Sequence, residues 1–134
     1  MIAGPAEFLQ RAKLIRKRLG GWMRQAGVIA ACGLYALEKN LARLADDHAL
    51  ARAVAETFER HQGFHAFSRE LESNIVMVQI TRPGWTPERL TKALAEHGVL
   101  TLPMNSTSVR FVTHLDVGPQ DVERLSRGLA KILA

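Results

Sequence analysis

The sequence contains little cysteine and few aromatic side chains. Cys32 is its single cysteine, and phenylalanine, tryptophan and tyrosine together make up 6% of its 134 residues. One cysteine excludes an internal disulfide and is typical of a protein that folds in a reducing compartment. The composition therefore predicts a cytoplasmic protein.

Long apolar runs are also missing from the sequence. No stretch approaches the roughly 20 consecutive apolar residues that a membrane-spanning helix needs. The first residues, MIAGPAEFL, have neither the basic start nor the apolar length of a secretory signal. We therefore expect no membrane partner.

Basic residues outnumber acidic ones, which raises the question of nucleic acid. Lys and Arg number 18 against 13 acidic residues, giving a net charge of +5 and a pI near 10.0. The cations are densest over residues 11–18, with Arg24 just beyond. Around a helix these positions spread over most of the circumference, which favours a solvated helix over a groove-reading face. We expect no nucleic-acid partner, while a basic nucleic-acid-binding domain stays open as an alternative.

The first residues resemble the end of a strand, followed by a helix. Residues 1–4 are apolar and small and are closed by Pro5, so we expect the chain to begin partway through a larger protein. Apolar residues then recur three and four positions apart, which predicts a helix over 6–19. The glycine pair at 20–21 is expected to end that helix, because glycine tolerates the backbone angles of a helix terminus.

Two further helices are predicted before residue 63. The first, over 25–39, is rich in alanine and glycine, and small side chains on most faces predict a buried helix. Cys32 lies in that helix and is expected to be a small core residue rather than a nucleophile. The second covers residues 41–58 by its apolar spacing and is expected to end near Gly63.

The pattern changes to strands after Gly63. NIVMVQI, residues 74–80, is apolar on both faces, which predicts a covered central strand. SVRFVTHL, residues 108–115, alternates strictly, so that Val109, Phe111, Thr113 and Leu115 are expected on the buried face and Arg110 on the other. Shorter strands are predicted over 64–69 and 99–102.

Two helices alternate with these strands. Thr86-Pro87 is a capped helix start whose helix is expected to end at Gly98, and Gly118-Pro119 opens the last helix. The predicted fold class is α/β with an α+β small domain: connecting helices, then a small, mostly antiparallel sheet with helices on one face. We divide the chain into residues 1–5 as a strand end of a further domain, 6–62 as connecting helices, and 63–134 as the small domain.

The residues alone leave the candidate sites open. Arg110 is either a carboxylate-binding fork or a solvent-facing strand arginine. Arg24 either binds an anion at a helix start or is an exposed first-turn residue. His61 and His65 have helical ligand spacing, but Gly63 lies between them and no acid or cysteine completes a ligand set, so we predict no metal site.

Three stretches together resemble the L-threonine aldolases. RKRLGGWMRQAG and the following helices, residues 16–51, are similar to that family's R-K-x-x-G-G-G-M-R-Q-x-G, alanine-rich and LAEDHxxA segments. SNIVMVQI is similar to its TNMLFVRV strand, and VRFVTHLDV to its VRLVTHLDV. These stretches follow the family's order across nearly the whole chain. The resemblance is to the C-terminal portion of a pyridoxal-phosphate enzyme of the aspartate-aminotransferase type, whose C-terminal domain has the α+β form predicted above.

The resemblance also implies a reaction and its site residues. Members of this family cleave β-hydroxy-α-amino acids to glycine and an aldehyde with pyridoxal 5'-phosphate, as cytoplasmic homo-oligomers of amino-acid catabolism. It implies that Arg110 binds the substrate α-carboxylate, and that Lys17 and Arg24 lie near the cofactor phosphate. His114 is on the strand face of Arg110 and is expected to orient neighbouring groups.

Two departures from the family pattern limit what this chain is expected to do alone. The family's Schiff-base lysine lies in an SKGLGAPVGS stretch that this sequence does not contain, and Trp22 replaces the third glycine. We therefore expect the isolated chain to be inactive and its small-residue helix surface to promote self-association. The alternatives are another pyridoxal-phosphate lyase, such as a β-eliminating one, and a non-catalytic remnant acting as an interaction module.

Overall fold

A computed structural model describes residues 2–67 and 71–134. The chain divides into two compact units, Met1–Ala42 and Arg43–Ala134. The predicted division at residues 5 and 62 concerns a larger protein and stays a prediction.

The first unit is helical. It contains α1 (Ala6–Arg18), α2 (Gly27–Tyr35) and a π-helical turn over Ala36–Asn40. Residues 2–5 are irregular. The strand end predicted for residues 1–5 concerns pairing within a larger protein and stays a prediction.

The glycine pair ends α1 as predicted. Gly20 takes a φ of 76°, a left-handed conformation that favours glycine. Its N–H donates to the carbonyl of Lys17 at 3.2 Å, and that of Gly21 donates to the carbonyl of Arg16 at 2.9 Å. This pair of bonds is the Schellman arrangement, which satisfies the last carbonyls of a helix.

The small-residue helix α2 is exposed along its whole length, so the prediction of a buried helix is wrong for this structure. None of its residues is buried, and the free thiol of Cys32 is exposed as well. Val28 and Tyr35 are 75% and 62% exposed. Low side-chain bulk indicates that a helix can be approached closely, but the described part of the first unit supplies no surface that covers it.

The second unit is a four-stranded antiparallel sheet with three helices. In chain order it comprises α3 (Leu44–Glu59), β1 (Phe64–His65), β2 (Ile75–Ile80), α4 (Pro87–Ala95), β3 (Leu102–Pro103), β4 (Ser108–Val112) and α5 (Pro119–Leu133). The strand order is β1-β2-β4-β3. The predicted fold class is confirmed. Residues 68–69 of the predicted strand 64–69 lie outside the described residues.

The core lies between one face of the sheet and the helices. Phe58 of α3 contacts Phe64 and Phe111, with ring centroids 6.0 and 5.0 Å apart. Leu94 of α4 and Leu129 of α5 are fully buried in the same cluster. Burial of this apolar face is the main source of stability for such a layered fold.

The central strand β2 is covered on one face only. It lies between β1 and β4 as predicted, but its burial alternates, with Val76, Val78 and Ile80 buried. The prediction of cover on both faces is wrong, because all three helices pack on the same side. Ile75 and Met77 are therefore exposed apolar residues of the other face.

Local signals position the helices and the end of β4. Thr86 caps α4 by accepting a hydrogen bond from the N–H of Arg89 at 3.2 Å, as its sequence predicted. Leu115 was expected on the buried face but is 67% exposed. Strand β4 ends at Val112, and the following turn, in which the N–H of Val117 donates to the carbonyl of His114, takes Leu115 out of the strand alternation. Among the described residues, no helix has the length and apolarity to cross a membrane.

Candidate functional site

The candidate site lies on the face of the sheet that the helices leave uncovered, here called the open face. The strand register places Met77 of β2 and Leu102 of β3 on either side of Arg110 of β4. Residues directly opposite in an antiparallel pair share one face, so the arginine stands between two apolar side chains. Ile75 and Val112 pair in the next row of the same face.

Arg110 is partly buried and has no carboxylate partner in the part of the chain that the structure describes. It is the one charged residue of β2, β3 and β4. Its backbone carbonyl accepts a hydrogen bond from the hydroxyl of Thr101 at 2.6 Å, which fixes the strand beneath the guanidinium. A planar guanidinium binds a carboxylate through two parallel hydrogen bonds, and apolar neighbours strengthen that attraction by excluding water.

Ser108 lies two positions before Arg110 and belongs by alternation to the same face, about 7 Å away along the strand. It is 7% exposed, and its hydroxyl is buried with no hydrogen-bond partner among the described residues. Sequence reasoning missed this residue. The spacing of two residues from Arg110 could have placed Ser108 on the same strand face. The sequence does not show, however, which groups surround a serine in a strand.

Lys17 and Arg24 belong to the first unit, whereas Arg110 belongs to the second. The Nζ of Lys17 lies 5.3 Å from the centroid of the Trp22 ring, and Arg16 lies over the same ring at 5.0 Å. Arg24 is exposed three residues before α2 begins at Gly27. Stacking on an indole is a favourable contact for both cations. The cofactor-phosphate roles of Lys17 and Arg24 stay predictions.

The histidines singled out in the sequence make local contacts. The backbone N–H of Asp116 donates to Nδ1 of His114 at 3.3 Å, which shapes the turn after β4. His65 lies on β1 with Nε2 3.2 Å from the hydroxyl of Thr81. Within residues 2–67 and 71–134, no three His, Cys, Asp or Glu side chains cluster in a way that could hold a metal ion.

The lysines do not fit the covalent part of a pyridoxal-phosphate site. All of them are exposed. They are Lys13, Lys17, Lys39, Lys92 and Lys131. A lysine that forms an imine is activated by desolvation or by a neighbouring cation in a closed pocket. The described residues therefore fit the recognition of a carboxylate and do not fit the attachment of the cofactor.

Comparison with known proteins defines the class. Residues 1–81 match the model of the family described as beta-eliminating lyase. The chain belongs to this family.

The relatives bear more specific names. The chain is 38% identical over 133 residues to "Probable low-specificity L-threonine aldolase 2" of Arabidopsis thaliana, covering 98% of this chain and 38% of that protein. It is 37% identical over 123 residues to "Low-specificity L-threonine aldolase 1" of the same plant, covering 91% and 34%. It is 33% identical over 136 residues to "Low specificity L-threonine aldolase" of Escherichia coli strain K12, covering 100% and 38%. The chain thus spans about a third of the length of these relatives.

Proposed function

We propose that the complete protein is a threonine-aldolase-type carbon–carbon lyase, which cleaves L-threonine or allo-threonine to glycine and acetaldehyde. The similarity to relatives named as threonine aldolases over nearly the whole chain supports this proposal. The family resemblance implies pyridoxal 5'-phosphate, which when bound supplies an electron sink for the electrons of the broken bond. All five lysines of this chain are exposed, so none of them offers the desolvated amine that holds this cofactor covalently.

The single observation that carries the proposal is the position of Arg110. A β-hydroxy-α-amino acid keeps its α-carboxylate unchanged while the Cα–Cβ bond breaks. A protein group that binds this carboxylate can therefore orient the substrate throughout the reaction. Arg110 carries a permanent charge, lacks an ion-pair partner among the described residues and stands between Met77 and Leu102. In the proposed role it binds the carboxylate bidentately and thereby holds the scissile bond in one orientation.

The chain alone is proposed to be inactive. The exposed lysines offer no desolvated amine, which the covalent attachment of the cofactor needs. A homo-oligomer of the complete protein, in which the uncovered faces of the first unit are buried, belongs to the same proposal.

A chimera tests the proposed function. Residues 1–134 of this chain replace the aligned 136-residue segment of the Escherichia coli relative, and the purified chimera is assayed with L-threonine. We expect glycine and acetaldehyde in equal amounts. Formation of a 2-oxo acid and ammonia without glycine would instead indicate a β-eliminating lyase.

A non-catalytic interaction module is the second candidate function. The contact of Trp22 with Arg16 and Lys17 favours it, because a bulky ring engages a cation that the family resemblance places at the cofactor. A folded chimera that binds pyridoxal phosphate but releases no product from L-threonine would support this candidate. Restoration of activity by Trp22→Gly would return the assignment to a lyase.

A further inference from the structure

A small basic cleft lies between the end of α4 and the outer side of α5. It has a volume of about 150 Å³ and is lined by His97, Arg124, Arg127, Gly128 and Lys131. Both helices pack on the covered face of the sheet, so the cleft belongs to the helical layer and not to the open face that carries Arg110. The proposed lyase function makes no use of these residues.

A glycine lets the two sides of this cleft approach each other closely. Gly128 is buried on α5, and a Cβ built there would lie 3.2 Å from the Cβ of His97 and 3.6 Å from its Cγ. The absence of a side chain therefore lets the imidazole pack closely against the helix. Arg124, Arg127 and Lys131 follow the spacing i, i+3 and i+7, which places them on one side of α5 around that glycine.

Most of the positive charge in the cleft has no ion-pair partner among the described residues. Arg124 forms an ion pair with Asp121 at 3.0 Å, and the other oxygen of Asp121 accepts the N–H of Gly118. Arg127 and Lys131 are exposed and have no ion-pair partner in the described ranges. Within the described part of the chain, Arg127 and Lys131 thus stand unpaired beside Arg124, whose charge Asp121 neutralises.

We propose that this cleft binds a small phosphate dianion, either inorganic phosphate or the phosphate group of a phosphomonoester. The guanidinium of Arg127 offers a planar fork of donors to two phosphate oxygens, and the ammonium of Lys131 offers a mobile point charge. The limited volume selects one tetrahedral group rather than an extended polyanion, whose binding needs a longer basic track.

A titration of inorganic phosphate into the full chain tests the proposal. Ionic strength is kept constant with sodium chloride, and the amide of Gly128 and the ring of His97 are followed by NMR. We expect saturable chemical-shift changes at these two residues. The dissociation constant for phosphate should be at least about tenfold larger in the double variant Arg127→Gln/Lys131→Gln. The matched control Arg52→Gln changes an exposed arginine of α3 and is expected to bind as the parent does.

Phosphoserine is the second probe, since it presents the same group on a carbon skeleton. Saturable binding of either probe that the double variant loses supports the proposal. Shifts that sodium chloride reproduces, or that the double variant retains, would overturn it. Binding of single-stranded DNA much tighter than that of phosphate would also overturn it, in favour of a nucleic-acid surface. None of these outcomes bears on Arg110, so failure here leaves the proposed lyase function standing.

Discussion

The hydroxyl of Thr113 donates a 2.7 Å hydrogen bond to the backbone carbonyl of Asp47, a residue 66 positions earlier in the chain. Both residues are buried. The N–H of Thr113 donates to the carbonyl of Asn74 at 3.0 Å, and the Asn74 amide returns a bond to the carbonyl of Thr113 at 2.6 Å. One residue beyond β4 therefore joins the start of α3 to the start of β2.

Thr113→Val is expected to lower the free energy of unfolding by about 1–3 kcal/mol, because it removes the buried hydrogen bond from Thr113 to the carbonyl of Asp47 with little change in side-chain shape. Urea unfolding followed by circular dichroism measures the change. The control Thr81→Val removes an exposed hydroxyl, together with its 3.2 Å contact with Nε2 of His65, and is expected to cost less than about 0.5 kcal/mol. Equal losses for the two variants would contradict a linking role for Thr113.

Gly63→Ala is expected to destabilise the second unit strongly. Gly63 has a φ of 86°, and a Cβ there would lie 2.6 Å from the Cβ of Arg82 and 2.8 Å from its backbone nitrogen. Gly84 is a matched control, since its φ is 77° but its Cβ would meet nothing closer than 3.8 Å. We expect about 1 kcal/mol for Gly84→Ala from backbone strain alone. The loss of unfolding free energy at Gly63 should be at least about 2 kcal/mol. A loss no larger than that at Gly84 would show that the close approach of Gly63 to Arg82 does not contribute to stability.

The isolated chain is expected to self-associate through its first unit, because none of the residues of α1, α2 or the π-helical turn is buried. Sedimentation should show a mass that rises with concentration. Ile29→Glu/Leu34→Glu places charges on α2 and should restore a monomer. Leu115→Glu makes the same change at an exposed leucine of the second unit and should not. A parent chain that stays monomeric at every concentration would rule out this use of the apolar surface.

The purified chain with added pyridoxal phosphate is expected to release no acetaldehyde from L-threonine, since its lysines are exposed and lack the surroundings that activate an imine-forming amine. A coupled alcohol dehydrogenase assay measures the product. The intact Escherichia coli relative serves as the positive control. Turnover by the chain alone that is abolished by one lysine-to-arginine change would contradict this expectation and identify the lysine.

The sequence predicted the second unit well because its signals are local. The Thr86-Pro87 start, the left-handed Gly98 and the alternation around Arg110 each depend on neighbours within a few residues, and the structure confirms all three. Side-chain packing then requires only that apolar faces meet. The strand β2 shows the limit, since an apolar residue such as Met77 does not reveal whether anything covers it.

The first unit shows what local signals cannot supply. An alanine-rich helix predicts close packing, but the surface that packs against it is formed by residues distant in sequence. No such surface of the described first unit covers α2. Cys32 is exposed for the same reason. At the candidate site, the strand pattern predicted Arg110 on the open face. Its lack of a carboxylate partner among the described residues and the burial of the Ser108 hydroxyl depend on neighbours that are distant in sequence.

The most direct measurement is kcat/KM for L-threonine in the Escherichia coli chimera with Arg110 and with Gln at that position. Loss of a buried partner of a carboxylate costs about 2–5 kcal/mol, so Arg110→Gln should lower kcat/KM by about 30-fold to 5,000-fold. Arg52→Gln serves as the control and should leave it unchanged, while the absorbance of bound pyridoxal phosphate should be the same in all three proteins. An Arg110→Gln chimera that is folded, loaded with cofactor and as active as its parent would contradict the assignment of Arg110 as the carboxylate-binding residue.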